Sequence, residues 1–278
     1  LVYKASGQFI FASTVVKFVN DELSLPWERL RIVLGSADSH DAEDTERPFG
    51  ELDRLYQEIL SVNRKAGLLC RILGAIVISP EKRVPTTVMI EQLLGLEPGT
   101  VSAALWGMHS VLKASPNEVQ GKIVFAHKSF TDFLLDRDRS GKFFIDRQSH
   151  HNFMACRCLK LMLDWQTGIR PEELEYYRFP DWIERRSRDE DVNEHWPHHR
   201  DWGYHCVSAS ASPELFCALR ALDPVAYANR LLRVLSKSNH FGDCSALLGF
   251  FMGKMRDVQR WAEVSETQSC FQSITILT

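Results

Sequence analysis

Apolar residues recur at helical spacing along most of this chain, with one short run that reads as a strand. Leu52, Leu55, Tyr56, Ile59 and Leu60 fall at i, i+3 and i+4 and predict a helix from Phe49 onward. A second helix is expected over Lys65–Ser79, with Leu68, Leu69, Ile72, Leu73 and Ile76 on its apolar side. Pro80 and Pro85 stop and restart the chain. A third helix, Thr86–Leu94, ends at Gly95. A fourth follows Glu97-Pro98-Gly99 and runs over Thr100–Ala114, with Thr100 as N-cap and Val101, Leu105, Met108 and Leu112 inward. Beyond the loop Ser115-Pro116-Asn117, Lys122–Ala126 reads as a strand that leads into a short amphipathic helix at His127. Three helices, a small β element and a closing helix are the order of a winged helix.

The flanks are helical too. Lys4–Val19 is apolar or small nearly throughout and suits a buried helix with almost no solvated face. Pro26 sits where a helix can begin, ahead of Trp27, Leu30 and Ile32. Ser36–Pro48 is polar and acidic and predicts a mobile surface loop. After Asp146, helices are expected at Ser149–Trp165, Pro213–Leu222, Pro224–Ser236 and Asp243–Glu263. Residues 168–202 are charged, aromatic and weakly periodic, and no element is assigned there. The expected fold is mainly α: a helical bundle, a winged helix (three helices with a small β-hairpin) and a second helical domain. Its divisions are 1–35, the end of a first helical domain; 36–48, the acidic loop; 49–146, the winged helix with its leading helix; 147–265, the second helical domain; and 266–278, a tail.

Composition narrows the function classes. With 45% hydrophobic residues the chain can build ordinary buried cores. A net charge of −3 lacks the basic excess of a general nucleic-acid binder. Seven cysteines, an odd number at irregular spacing, read as reduced thiols in a cytoplasmic protein. The longest apolar stretches, Leu68–Ser79 and Leu247–Met252, are too short for a membrane span. The first residue is Leu1, which suggests a fragment.

Candidate chemistry is sparse. His195, His198, His199, His205 and Cys206 carry metal-ligand atoms, but their spacing matches no zinc finger, and His195–His199 reads as a surface loop; no metal is assigned. Cys156 and Cys158 stand two apart on a helix and face different ways. No serine lies in a G-x-S-x-G context, and no catalytic residue is assigned. The mixed-sign run Glu184–Asp191 reads as a solvated face. Read locally, His127 caps the turn before its helix with a half-buried ring. Ser129 is an alternative cap, Asp132 lies in the N-terminal turn, and Phe130, Phe133 and Leu134 are core. A winged helix can also seat a recognition helix on DNA, which is the alternative function. Thr100–Ala114 holds one basic residue, Lys113, and no nucleic-acid partner is assigned.

Five blocks together carry a resemblance. They are Lys4–Thr14; Leu52–Leu60; Ile90–Gly99; Ile123–Leu134 with its extension Asp136–Asp146; and, more loosely, Trp202–Leu222 with Leu231–Trp261. In order and spacing they resemble the helical and winged-helix segments of fungal NACHT proteins, the NLR-like STAND signalling NTPases. The chain has no G-x-x-x-x-G-K-S/T loop and no strand ending in paired acids, so the family's catalysis does not transfer. What the resemblance implies is a non-catalytic regulatory portion of such an NTPase, controlling autoinhibition and oligomerisation. ADP or ATP with magnesium belongs to the intact parent, and the partners are that parent's NTPase core or further copies. It also implies that His127 reaches the β-phosphate of ADP, and that Ser6 and Gly7 lie near the adenine, where many relatives have proline. The surface that meets the NTPase core is then expected to be exposed and apolar around Phe9, Phe11 and Phe18.

Overall fold

The computed structural model describes residues 9–20, 25–35, 49–80, 85–114, 122–167, 197–235, 249 and 251–265. The acidic loop, the tail 266–278, and Ser6 with Gly7 lie outside the described residues. The chain is mainly helical with one two-stranded sheet, and it divides into two compact units, Leu1–Arg147 and Gln148–Thr278. Among the described residues no helix is long and apolar enough to cross a membrane.

In the first unit, α1 (Phe9–Val19), α2 (Pro26–Gly35) and α3 (Gly50–Ser61) pack on one another. α1 is less uniformly buried than its composition suggests. Phe11, Thr14, Val15 and Phe18 share one helical face and are buried, whereas Phe9, Ala12, Val16 and Lys17 are exposed. The expected exposed trio of phenylalanines is therefore reduced to Phe9: the 3.6-residue period turns Phe11 and Phe18 inward. The buried Arg29 guanidinium further covers Phe18, 4.3 Å from its ring centre.

The next elements are α4 (Ala66–Val77), α5 (Thr87–Leu94), α6 (Thr100–Ala104) and the antiparallel strands β1 (Leu112–Ala114) and β2 (Ile123–Phe125). Leu112 pairs with Phe125, Lys113 with Val124 and Ala114 with Ile123. A bridge from Thr86 to Lys122 adds the residue before α5 to the edge of β2. This succession, three helices and a hairpin with the bridge ahead of the second helix, is that of a winged helix. Thr86 caps α5 through Oγ1 to the Met89 N–H, and Gly95 closes it at φ 66°.

The fourth helix is shorter than its periodicity predicts. It ends at Ala104, turns follow, and Gly107 takes φ 78°, a left-handed value costly for a residue with a side chain. Leu112 is thus a strand residue. Thr100 is the first helical residue, and Gly99 occupies the cap position. Glu91 supplies the missing acceptor: its buried carboxylate takes the Val101 N–H at 2.9 Å.

In the second unit, α9 (Arg147–Thr167) is followed by α10 (Pro197–Ser208), α11 (Pro213–Ala221), α12 (Pro224–Leu235) and α13 (251–265). Three of these begin with proline, whose absent N–H is not needed in a first turn. That is why the expected surface loop at His195–His199 is wrong from Pro197 on; His195 and Trp196 lie outside the described residues. Phe251 stacks on Tyr227 at 4.7 Å and meets Trp202 at 6.0 Å, while Trp261 stacks on Phe216 at 5.8 Å. α13 is thus the helix that α10, α11 and α12 share. At Gly203 a Cβ would come within 3.0 Å of Lys254 Cδ, so the glycine admits that lysine stem.

Candidate functional site

The first unit closes with α7 (Lys128–Leu134), α8 (Arg137–Ser140) and a 3-10 turn, Gly141–Phe143. β2 delivers the chain to His127 in an extended conformation, and α7 starts at the next residue. Phe130, Phe133 and Leu134 are fully buried and pin α7. Phe130 meets Phe125 of β2 at 5.8 Å, and Tyr56 of α3 packs edge-on to Phe130 at 4.9 Å and lies 5.3 Å from Phe133.

His127 is itself the N-cap. Its Nδ1 accepts the Ser129 backbone N–H at 3.1 Å and lies 2.8 Å from Ser129 Oγ. The cap belongs to His127, then, and Ser129 assists it from inside the helix. The ring is exposed, not half-buried as its cap role alone suggests, because β2 ends at the surface. Asp132 is exposed and lies one residue beyond the first turn, too far in to meet the free N–H groups. Ser129 Oγ lies 2.7 Å from Tyr56 Oη, so a continuous polar chain joins the buried face of α3 to the exposed imidazole. Burial raises the Tyr56 pKa above its ordinary value, and the Ser129 hydrogen bond opposes this.

A second tie lies beside it. Arg139 grips Asp53 in two-pronged fashion, Nε to Oδ2 at 3.0 Å and Nη2 to Oδ1 at 2.7 Å. Gln57 donates to the Arg139 carbonyl at 2.8 Å. The hydrogen bond to Asp53 raises the Arg139 pKa further, so the guanidinium stays charged. α3 therefore holds α7 and α8 through Tyr56 and Asp53, residues that periodicity reads only as core and surface. The i, i+3 relation of Asp53 and Tyr56, with two partners in one short downstream stretch, is the signal that a contact-minded reading can use.

The second unit brings together His151 and His205, both buried, with their Nδ1 atoms 3.0 Å apart. Cys158 and Cys206 are both buried, and Cys156 is half-buried on another side of α9. Of the sequence's metal-ligand cluster, His205 and Cys206 are core residues. Among the described residues no three His, Cys, Asp or Glu side chains converge as a metal site.

For a nucleotide, the described residues fit one contact: an exposed imidazole offering Nε2 to a phosphate oxygen. Comparison with known protein families, with curated proteins and with solved structures finds no match.

Proposed function

We propose that this chain is the non-catalytic regulatory portion of a NACHT-type signalling NTPase, in which His127 reports the state of a nucleotide held by the parent's P-loop module. The supporting observation is the placement of the imidazole. It stands exposed where the winged-helix strand meets α7, held by Nδ1, with Nε2 available to a ligand. A nucleotide diphosphate fits such a donor, and the phosphates and magnesium would be held by the parent's own loop. In this reading the winged helix and second helical domain restrain the NTPase core, and loss of the His127 contact releases them for assembly. The working compartment is the cytoplasm, where the thiols remain reduced.

The nucleic-acid reading draws little support from the helix that would enter a groove. α6 has five residues, and its exposed positions Ser102 and Ala103 carry no charge for phosphate.

The test has two parts. The coding sequence upstream of Leu1 should encode a P-loop and an acidic strand in frame. In that longer protein, His127→Asn should speed ADP release by roughly tenfold, the scale of one hydrogen bond to a charged group. No P-loop upstream, or an unchanged release rate, sinks the reading.

A further inference from the structure

We propose that Tyr56 and Ser129 are positioning residues that fix the neutral His127 ring in one tautomer, with Nδ1 bare and the proton on Nε2. The importance of that proton rests on the nucleotide-sensing reading above; the tautomer itself does not. The argument begins in the core. Tyr56 is 1% exposed, and among the described residues its hydroxyl has one hydrogen-bond partner, Ser129 Oγ at 2.7 Å. If Ser129 donated to Tyr56, the phenolic proton would have no acceptor among the described residues. A buried donor without a partner is far costlier than a satisfied one. The phenol must therefore donate and Ser129 Oγ accept.

That fixes the next link. The Ser129 hydroxyl proton is left to point at His127 Nδ1, 2.8 Å away. The Ser129 backbone N–H points at the same nitrogen from 3.1 Å. Two donors converge on Nδ1, and a third proton there would face both. The neutral ring is obliged to carry its hydrogen on Nε2, the nitrogen left to solvent or ligand. Direction thus runs outward, from Tyr56 Oη through Ser129 Oγ to Nδ1, and ends in an exposed N–H donor. A phosphate oxygen accepts from such a group, whereas a bare Nε2 lone pair would repel it. Ser129 does two jobs with one residue, and Tyr56 sets the polarity of the chain from a position 73 residues away.

The test is the nitrogen spectrum of the imidazole. The full chain is labelled with 15N-histidine, and the His127 signals among the ten histidines are assigned by their loss in His127→Asn. At a pH where the ring is neutral, long-range proton–nitrogen spectra should give a pyridine-type Nδ1 and a pyrrole-type Nε2. Removing both upstream partners, Tyr56→Phe with Ser129→Ala, leaves no orphaned phenol and keeps the backbone N–H. The Nδ1-protonated fraction should then rise by roughly twofold to tenfold, the scale of one net hydrogen bond. Ser129→Thr, which keeps the hydroxyl, should restore the wild-type pattern. A pyrrole-type Nδ1 in the wild type overturns the proposal, as does a double variant whose ring shifts do not move. If the tautomer is as stated but His127→Asn leaves ADP release unchanged, the sensing reading fails and the positioning of the ring stands.

Discussion

The two units are joined internally by a different balance of the same two kinds of contact. In the first, distant segments meet through directional polar contacts: Asp53 to Arg139, Tyr56 to Ser129, Glu91 to the Val101 N–H and Asn63 to the Ala104 carbonyl at 2.7 Å. In the second, polar ties such as His151 with His205 and Ser212 with Asn152 accompany a described core rich in rings and sulfur: Trp202, Tyr227 and Phe251 with Met154, Cys158, Met162 and Cys206. Directional contacts specify one arrangement and are lost all at once when a partner is removed. Thioether contacts are adaptable, and burial does most of the stabilising. On the proposed reading, a unit that holds the His127 ring in one orientation gains from the first kind.

Raising the pH should separate the two most widely. Burial pushes the Cys158 thiol from 9.0 up to about 12, and it raises Cys206 in the same direction, with Cys158 adding to the effect. The folded state therefore keeps thiol protons that the unfolded chain releases. The resulting stability is whole below the ordinary thiol value and is lost as pH climbs toward the folded value. Each thiol contributes about 1.4 kcal/mol per pH unit in that window, so the pair should cost the second unit about 3 kcal/mol one unit above the ordinary value. The half-buried Cys70 in the first unit shifts the same way, so the difference between wild type and Cys158→Ala is the quantity to read. Urea midpoints should fall more steeply with rising pH in the wild type. Parallel slopes would mean that Cys158 is not buried as described.

Cutting the main polar tie tests the first unit. The Asp53 and Arg139 side chains are 13% and 20% exposed, buried enough for the loss of one to leave the other's charge poorly solvated. Asp53→Ala should cost about 2–3 kcal/mol. Hydrogen exchange should show α8 opening first, with amides of α11 and α12 unchanged. Uniform loss across both units would contradict the local role given to this pair.

The sequence made the helices legible where burial follows one face. Leu52, Leu55, Tyr56, Ile59 and Leu60 are all buried in α3, and Phe251 and Val258 are buried in α13. It misled at Thr100–Ala114, because Val101, Leu105, Met108 and Leu112 fit a helix as well as they fit a short helix, a turn and a strand. Backbone pairing decides that case: the Ala126 N–H reaches the Val111 carbonyl at 2.8 Å, and no hydrophobic pattern encodes that partner. The His127 junction was visible because an apolar run gives way at one residue to a capped helix. Tyr56 was not visible as part of it. Its place on the apolar stripe explains the ring and says nothing of the hydroxyl. Arg139 and Asp53, 86 residues apart, look like any surface charges until the fold brings them together.

The smallest effect sharpens the comparison most. His127→Ala removes the N-cap of α7 and should cost about 1 kcal/mol. His127→Asn puts an amide oxygen in the same place, a side chain at least as well suited to accept an N–H at a helix start. Its stability should fall within a few tenths of a kcal/mol of wild type, about the scatter of a surface substitution. The two variants divide what the imidazole does for the fold from what it offers outside. If Asn restores the urea midpoint, any change it causes in nucleotide release belongs to the missing Nε2–H. If Asn is as destabilising as Ala, the ring does more for the first unit than cap a helix, and its exposed edge must be supported by contacts beyond Ser129.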